Sequence, residues 1–328
     1  MSRLNLPKSH LVAGLLVLAV YLTLAWATAL TERPGTDEGY FANPAFNLMS
    51  KGSFTTTVLE TAGTSFQGMD RHTYWVMPLQ PLVLAGWYKV LGFGVFSTRA
   101  LSIFFGLVAL VAWFIIVRSL FNQVFLAFLV VALLSCDYIF IVCAASGRMD
   151  MMSAALGFAG LAIYLLLRES RLTLAVLLGN ALVVASGLTH PMGLLPLLGL
   201  IFLAIYFDRK RIGLKHIAVA VVPYAVGGIG WGLYILQDPQ ASKPQHGERK
   251  DAREATHQCI DEAERRAIHA YDPKLTDDPA DRRPLPCPEP DVIREDEEKD
   301  HVAAAFERVQ HPRDDQHQDH VERERGET

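Results

Sequence analysis

The stretch LVAGLLVLAVYLTLAWATAL, residues Leu11–Leu30, contains no charged side chain. An α-helix rises about 1.5 Å per residue, so about 20 apolar residues cross the roughly 30 Å of hydrocarbon in a bilayer. Arg3 and Lys8 precede the run, as in a secretory signal, but the run is longer than a signal's apolar core. Thr31–Pro34 is also a poor cleavage site. The stretch therefore predicts a retained transmembrane helix.

Similar apolar runs follow along the first 240 of the 328 residues. The averages over the whole chain, 51% hydrophobic residues and a mean hydropathy of +0.23, do not show this concentration. The further runs are Thr98–Val117, Phe121–Ser135, Met151–Leu167, Leu172–Gly187, Pro191–Phe207 and His216–Leu236. An eighth segment, residues 75–93, carries two prolines, aromatic residues and a lysine, which predicts an interfacial or re-entrant segment. The fold class is thus all-α: a polytopic membrane protein with about seven transmembrane helices and interfacial helices on the outer face.

The basic residues between the runs indicate the orientation. If residues 75–93 do not cross, Arg118, the pair Arg168 and Arg171, and the cluster at 209–215 all lie on the side of the N-terminus. Short cytoplasmic loops are enriched in Lys and Arg, so the N-terminus is predicted to be cytoplasmic. The first outer loop, residues 31–74, then faces outward with the turns at 146–150 and 189–191. The net charge of -4 and the lack of a strongly basic face argue against a nucleic-acid partner.

The outer loop opens with TDEGYFANPAFNLMSKG, residues 36–52, in which Asp37 and Glu38 directly follow the first span. A carboxylate near hydrocarbon can act as a general base, and two neighbouring carboxylates can hold a hard divalent cation. The alternative is a solvated loop start in which Asp37 caps a short helix. The apolar residues behind the pair favour an interfacial helix, which Pro44 is expected to bend or restart.

Other outer residues are candidates for binding a substrate or phosphate. The guanidinium of Arg148 suits a phosphate, whereas Asp150 is also placed to stabilise the start of the next helix. His190 is either a ligand, an acid–base group or a phosphate contact, or else a packed interfacial histidine. Arg71 and His72 are solvent-facing residues that can approach an anionic substrate. The metal requirement stays open, with a divalent cation as one option.

Familiar soluble-enzyme motifs are missing from the chain. There is no Gly-rich phosphate loop, nucleophile elbow or HExxH sequence, and the four cysteines have neither metal-site nor disulfide spacing. No nucleotide cofactor is therefore expected. If the protein is a transferase, a lipid-linked donor fits better than a cytosolic nucleotide sugar.

Four segments together resemble a known family: TDEGYFANPAFNLMSKG, YWVMPLQPLVLAGWYKVLG, TRALSIFFGLVAL and SGRMDMMSAALGF. They are similar to the N-terminal half of the GT-C glycosyltransferases. The most similar group is the bacterial protein-mannosyltransferase-like family (glycosyltransferase family 39), with the lipid A aminoarabinose or galacturonic acid transferases. The resemblance implies a polyprenyl-phosphate sugar donor and an active site on the periplasmic face of the bacterial inner (plasma) membrane. It implies Asp37 as the base that activates a lipid, glycan or protein acceptor, with Glu38 supporting it and Arg148 near the lipid phosphate. Many relatives have a lysine before Pro-Pro where this chain reads Met77-Pro78-Leu79-Gln80-Pro81.

The sequence divides into a membrane domain at residues 1–240 and a polar tail at residues 241–328. The tail has too few apolar residues to fold by itself, and three interpretations stay open. It is a genuine disordered tail, an out-of-frame translation after a frameshift, or a metal-binding segment that uses His301, His311, His317 and His320. Family members continue with further spans, so a frameshift predicts a truncated, non-catalytic remnant. A transporter or flippase is the other alternative, although its expected mid-span charges are almost absent.

Overall fold

The computed structural model describes residues 8–58 and 69–237, and all regular structure in these ranges is helical. This confirms the predicted all-α class for the described part of the chain. The predicted tail, residues 241–328, lies outside it. The helices are α1 (Lys8–Thr31), α2 (Thr36–Lys51), α3 (Leu79–Leu91), α4 (Val95–Phe121), α5 (Val124–Cys136), α6 (Tyr138–Ala145), α7 (Asp150–Leu167), α8 (Leu172–Gly187), α9 (Pro196–Asp208) and α10 (Leu214–Ile235), with a 3₁₀ turn at Pro191–Leu194.

Five helical segments among the described residues are long and apolar enough to cross a membrane, which supports the prediction of a membrane protein. They are Ser9–Thr31, Val95–Phe121, Asp150–Leu167, Pro191–Asp208 and Leu214–Ile235. Each overlaps one of the seven predicted spans. The two remaining predicted spans are also helical but differ from a single long helix.

The predicted span Phe121–Ser135 corresponds to α5 alone, and α6, which lies beyond the predicted bounds, follows at an angle of 64°. The bend lies at Asp137, whose backbone is extended and whose carboxylate accepts a 2.8 Å hydrogen bond from the Phe140 amide. Asp137 is both the C-cap of α5 and the N-cap of α6. Its non-helical backbone dihedrals separate the two helices. The pair forms a sixth crossing if its two helices are counted as one span.

Helix α8 has the bounds that the sequence predicts, Leu172–Gly187. Its 16 residues extend only about 24 Å, which is less than the roughly 30 Å hydrocarbon thickness. Helix α8 packs closely against α7 because Gly160 and Gly179 face each other at the crossing. A Cβ atom built on Gly160 would lie 2.8 Å from the Gly179 carbonyl oxygen. Small residues let helix backbones approach in this way.

Helix α2 continues through Pro44 from Thr36 to Lys51, so of the two expected effects of this proline the restart does not occur. The segment at residues 53–57 is hydrogen-bonded to α2 through two asparagines of the helix. Asn47 donates to the Thr55 carbonyl at 3.0 Å, and Asn43 accepts from the Thr57 amide at 2.8 Å. These contacts stabilise the helix on both sides of the proline.

The segment predicted to be interfacial or re-entrant, residues 75–93, forms the 13-residue helix α3. The helix begins directly after Pro78, and Pro81 lies in its first turn, where the backbone amides lack intrahelical acceptors. At about 20 Å, α3 is too short to cross a bilayer. It packs against α2 and α4.

We predict that Gly160→Ala lowers the stability of the α7–α8 pair. The new methyl group would meet a backbone oxygen, which cannot move aside as a flexible side chain can, and overpacking typically costs about 1–3 kcal/mol. The measurement is the thermal unfolding midpoint of the purified protein in detergent. Gly228→Ala in α10 is the matched control, because a Cβ atom there meets nothing within 4 Å. Equal midpoints for both variants would contradict the close helix contact.

Candidate functional site

A cavity of about 500 Å³ opens where α1 ends and α2, α4 and α7 begin. We call this end of the helix bundle the cavity end. Four acidic residues and three arginines line the cavity, together with small and apolar residues. The lining residues are Glu32, Arg33, Gly35, Thr36, Asp37, Glu38, Arg99, Val142, Cys143, Ser146, Arg148 and Asp150. The cavity thus contains four of the residues that the sequence singles out: Asp37, Glu38, Arg148 and Asp150.

Glu38 and Arg99, which both line the cavity, form a buried ion pair. The two residues are only 4% and 3% exposed. The guanidinium is bidentate: Arg99 Nη2 lies 2.8 Å from Glu38 Oε2, and Arg99 Nε lies 2.9 Å from Glu38 Oε1. Planar two-point contacts of this kind are the strongest geometry for an arginine and a carboxylate.

The remaining donors of Arg99 close the end of α1. Its Nη1 donates to the carbonyl oxygens of Ala29 at 2.5 Å and Glu32 at 2.9 Å, and its Nη2 donates to Arg33 O at 3.3 Å. These carbonyls have no helical partners because the helix ends there. One arginine therefore neutralises a buried carboxylate and donates hydrogen bonds to the free carbonyl groups at the end of α1.

Glu38 also accepts two backbone hydrogen bonds. The Gly35 amide donates to Oε2 at 3.1 Å at the start of α2, and the Gly147 amide donates to Oε1 at 2.5 Å. A side chain at Gly147 would lie 2.6 Å from Thr98 Cγ2, so glycine is needed for this approach. The carboxylate is fully engaged by its neighbours, and this geometry favours a supporting role over that of a free base.

Asp37 has a different environment from its neighbour Glu38. Its side chain is 51% exposed, and its carboxylate forms an ion pair with Arg148 at the cavity rim. Arg148 also donates through Nε to Asp150 at 2.8 Å. Both pairs are accessible to water, so they contribute little stability and can exchange for other partners. Asp37 is thus the carboxylate that a molecule in the cavity can reach.

Two carboxylates keep Arg148 charged. Partial burial lowers the pKa of its guanidinium, but the hydrogen bond that Arg148 donates to Asp150 and the negative charges of Asp150 and Asp37 outweigh this effect and raise the pKa. The group is therefore a permanent cation between two anions. Such a cation is suited to binding an anionic group that enters the cavity.

Three other sequence candidates do not line the cavity. His190 caps the 3₁₀ turn, where its Nδ1 accepts from the Met192 amide at 3.2 Å. His72 stacks on Tyr234 of α10 at a ring distance of 4.0 Å and contacts the Tyr234 carbonyl through Nε2 at 3.0 Å. Arg71 precedes it and is exposed. The structure gives the two histidines roles in local packing and capping.

Arg99 was not identified as a site residue by the sequence interpretation, although it lies in one of the quoted segments. The signal was a lone arginine at the second position of the predicted span Thr98–Val117. An arginine next to hydrocarbon needs a partner, because an uncompensated charge there is costly. Its partner lies 61 positions earlier, so the pairing cannot be read from local sequence.

No group of three or more His, Cys, Asp or Glu side chains at residues 8–58 and 69–237 is arranged to hold a metal ion. The histidines proposed for a metal-binding tail, His301 to His320, lie outside these ranges. The described lining of the cavity consists largely of carboxylates and arginines, which include the ion pairs Glu38–Arg99 and Asp37–Arg148.

We predict that Glu38→Gln destabilises the protein much more than Asp37→Asn. Removing one partner of a buried ion pair typically costs about 3–5 kcal/mol, whereas exposed pairs contribute about 0–1 kcal/mol. Thermal unfolding midpoints of the two variants in detergent provide the comparison. The chemical change is the same at adjacent positions, so similar losses would show that burial does not distinguish them.

No protein-family model matches the chain, and neither a curated protein nor a solved structure gives a significant match. A function for the chain is therefore inferred from the residues and geometry of the cavity and from its sequence pattern.

Proposed function

We propose that this protein is a membrane glycosyltransferase that moves a sugar from a polyprenyl-phosphate donor to a lipid, glycan or protein acceptor. The observation that carries the proposal is the accessible Asp37 carboxylate, held at a cavity rim beside the permanent cation Arg148. A group-transfer site for such a donor needs both a proton acceptor and a phosphate-binding cation. The resemblance of the four quoted segments to GT-C glycosyltransferases supports the same class.

In this mechanism Asp37 accepts the proton of an acceptor hydroxyl. The hydroxyl oxygen forms a bond to the anomeric carbon of the sugar, and the bond between that carbon and the phosphate oxygen breaks. The electron pair of the broken bond stays on the polyprenyl phosphate, which leaves. Proton removal during attack by a positioned carboxylate typically contributes about 10²–10⁴-fold to the rate.

Arg148 links binding of the donor to activation of Asp37. In the described structure its guanidinium is shared by Asp37 and Asp150. A donor phosphate would compete for this cation and release the Asp37 carboxylate to accept a hydrogen bond from the acceptor. Glu38 and Arg99 stay paired and hold α2 in place, so the backbone of the site does not need to rearrange.

The orientation that we propose has a cytoplasmic N-terminus, seven crossings and a periplasmic cavity in the bacterial inner membrane. In this arrangement α5 with α6 forms one crossing, and the short helix α8 forms another with local thinning of the bilayer, while α2 and α3 lie at the outer interface. Arg118 in the last turn of α4 and the basic residues that follow α7 and α9 then lie on the cytoplasmic side, as the positive-inside rule requires. The contacts of Arg99 and Glu38 support this proposal, because they join the end of α1 to the starts of α4 and α7.

We predict that Asp37→Asn reduces sugar transfer by about 10²-fold or more, since the amide cannot accept the proton. The chain would be reconstituted in liposomes with polyprenyl-phosphate sugars and candidate lipid and glycan acceptors, and initial rates of transfer measured. Asp70→Asn is the control, because Asp70 is exposed and does not line the cavity.

Full activity of Asp37→Asn would remove Asp37 from the mechanism. Absence of transfer by the parent chain with every donor would contradict the enzyme proposal and favour the non-catalytic remnant. Because the Asp37 side chain is exposed, we expect Asp37→Asn to fold like the parent, and the unfolding midpoint of the variant tests this directly.

We further expect Arg148→Gln to raise the KM for the donor by about 10- to 100-fold, because a hydrogen bond to a charged group is worth about 1.5–3 kcal/mol. Arg148→Lys should recover part of the loss, since it keeps the charge but loses the planar fork. Steady-state kinetics with varied donor provide the measurement. An unchanged KM would place the phosphate elsewhere.

A further inference from the structure

The opposite end of the helix bundle, where α7 and α9 end and α8 and α10 begin, is rich in basic residues; we call it the basic end. Its two loops carry six cationic side chains and two acidic ones. The cations are Arg168, Arg171, Arg209, Lys210, Arg211 and Lys215, and the acids are Glu169 and Asp208.

Asp208 joins the two loops of the basic end. It is only 1% exposed, and it accepts hydrogen bonds from Tyr164 at 3.0 Å, Arg168 at 3.3 Å and Arg211 at 2.9 Å. Arg211 also donates to the Glu169 carbonyl at 3.2 Å. These contacts hold the loops in a defined arrangement, so the remaining cations are presented on an ordered surface.

Two cavities meet at His216 in this region. An apolar cavity of about 620 Å³ lies between α8, α9 and α10, with Leu200, Ala204, Ala220 and Val221 in its wall. A more polar cavity of about 570 Å³ is lined by Ser170, Arg171, Thr173, Arg211 and Lys215, together with Leu172 and Leu174. His216 lines both cavities and is itself 5% exposed.

The polar cavity presents two cations that have no acidic partner among residues 8–58 and 69–237. Arg171 and Lys215 form no ion pair with any described residue. His216 accepts at Nδ1 from the Gly213 amide at 3.2 Å, which leaves its Nε2 as the donor to Thr173 at 3.3 Å. The cavity therefore offers two uncompensated charges and further donors to an anion.

We propose that the basic end binds one anionic phospholipid, with its phosphate against Arg171 and Lys215 and an acyl chain in the apolar cavity. Basic pockets between transmembrane helices on the cytoplasmic side bind anionic headgroups in this way. The apolar volume is in the usual range for a ligand cavity. Ile205 of α9 and Ile217 of α10 also line this cavity, and their exposed side chains suit contact with lipid chains.

Two alternatives are less consistent with these features. The first alternative is that the basic residues only set the orientation of the chain in the membrane. That role requires basic residues in the loops, but it does not require a concave pocket joined to an apolar cavity at a buried histidine. A second copy of the chain in the same orientation would bring a second positive surface to the same depth, and like charges repel. An anionic lipid satisfies both the charge and the apolar cavity.

The test uses the full chain purified in mild detergent and measures retained phosphatidylglycerol and phosphatidylcholine by native mass spectrometry. We expect the parent to retain phosphatidylglycerol preferentially. The double variant Arg171→Gln/Lys215→Gln should weaken this retention by about 10- to 30-fold, since each cation near an anionic lipid contributes about a factor of five.

The matched control is Arg118→Gln/Lys210→Gln, which removes the same charge but lines neither cavity. This control should keep the preference of the parent. Equal loss in both double variants would show a diffuse charge effect and overturn the proposal, as would equal retention of the two lipids by the parent.

A third variant, Ala220→Phe, separates a lipid from free phosphate. It fills the apolar cavity and leaves every cation in place, so it should also reduce lipid retention while the unfolding midpoint stays near that of the parent. Unchanged retention in this variant, or full competition by inorganic phosphate, would contradict an acyl-chain site. The measurement does not depend on sugar transfer, so it can succeed or fail independently of the glycosyltransferase proposal.

Discussion

The buried ion pair between Glu38 and Arg99 organises the end of the bundle that contains the candidate site. A charge at the start of an apolar helix must be neutralised and hydrogen-bonded, because an isolated charge in a medium of low dielectric constant is strongly unfavourable. Arg99 meets this requirement with a bidentate carboxylate and with carbonyls at the end of α1. Glu38 meets it with backbone amides of Gly35 and Gly147. The relative positions of α1, α2, α4 and the turn before α7 therefore depend on one shared set of hydrogen bonds.

The ion pair between Glu38 and Arg99 explains why the adjacent carboxylates Asp37 and Glu38 differ in their access to solvent and to a bound molecule. Glu38 is surrounded by donors and cannot exchange them without exposing a buried arginine. Asp37 lies at the solvent-accessible rim, where its pairing with Arg148 is weak in free energy and open to exchange. A rigid support beside an exchangeable ion pair is the arrangement expected where a substrate must be held accurately while one group stays reactive. The same device recurs at the basic end, where buried Asp208 accepts from Arg168 and Arg211 and leaves other cations available.

Much of the helical framework could be predicted from the sequence, because apolar run length and helix rise are local quantities. The bounds of α8 coincide with the predicted run, and five predicted runs overlap helices long enough to cross a membrane. The break at Asp137 was not predicted, because the predicted run Phe121–Ser135 ends two residues before it. Its capping hydrogen bond to Phe140 instead begins a second helix at a new angle. The sequence left open whether Pro44 bends or restarts α2, and the helix that continues through it is hydrogen-bonded to the segment at residues 53–57.

The sequence by itself determined that the described chain is helical, that several of its helices suit a membrane, and that Asp37 and Glu38 occupy a distinctive position after the first span. Those conclusions follow from hydrophobicity and spacing, which are properties of neighbouring residues. Only the tertiary structure decided which of the two carboxylates is buried and which is accessible, and which of the outer polar residues share a cavity. The reason is physical: burial and ion pairing join side chains that are 61 positions apart for Arg99 and Glu38 and 111 positions apart for Arg148 and Asp37. Only the packing of the helices brings such distant groups within hydrogen-bonding distance.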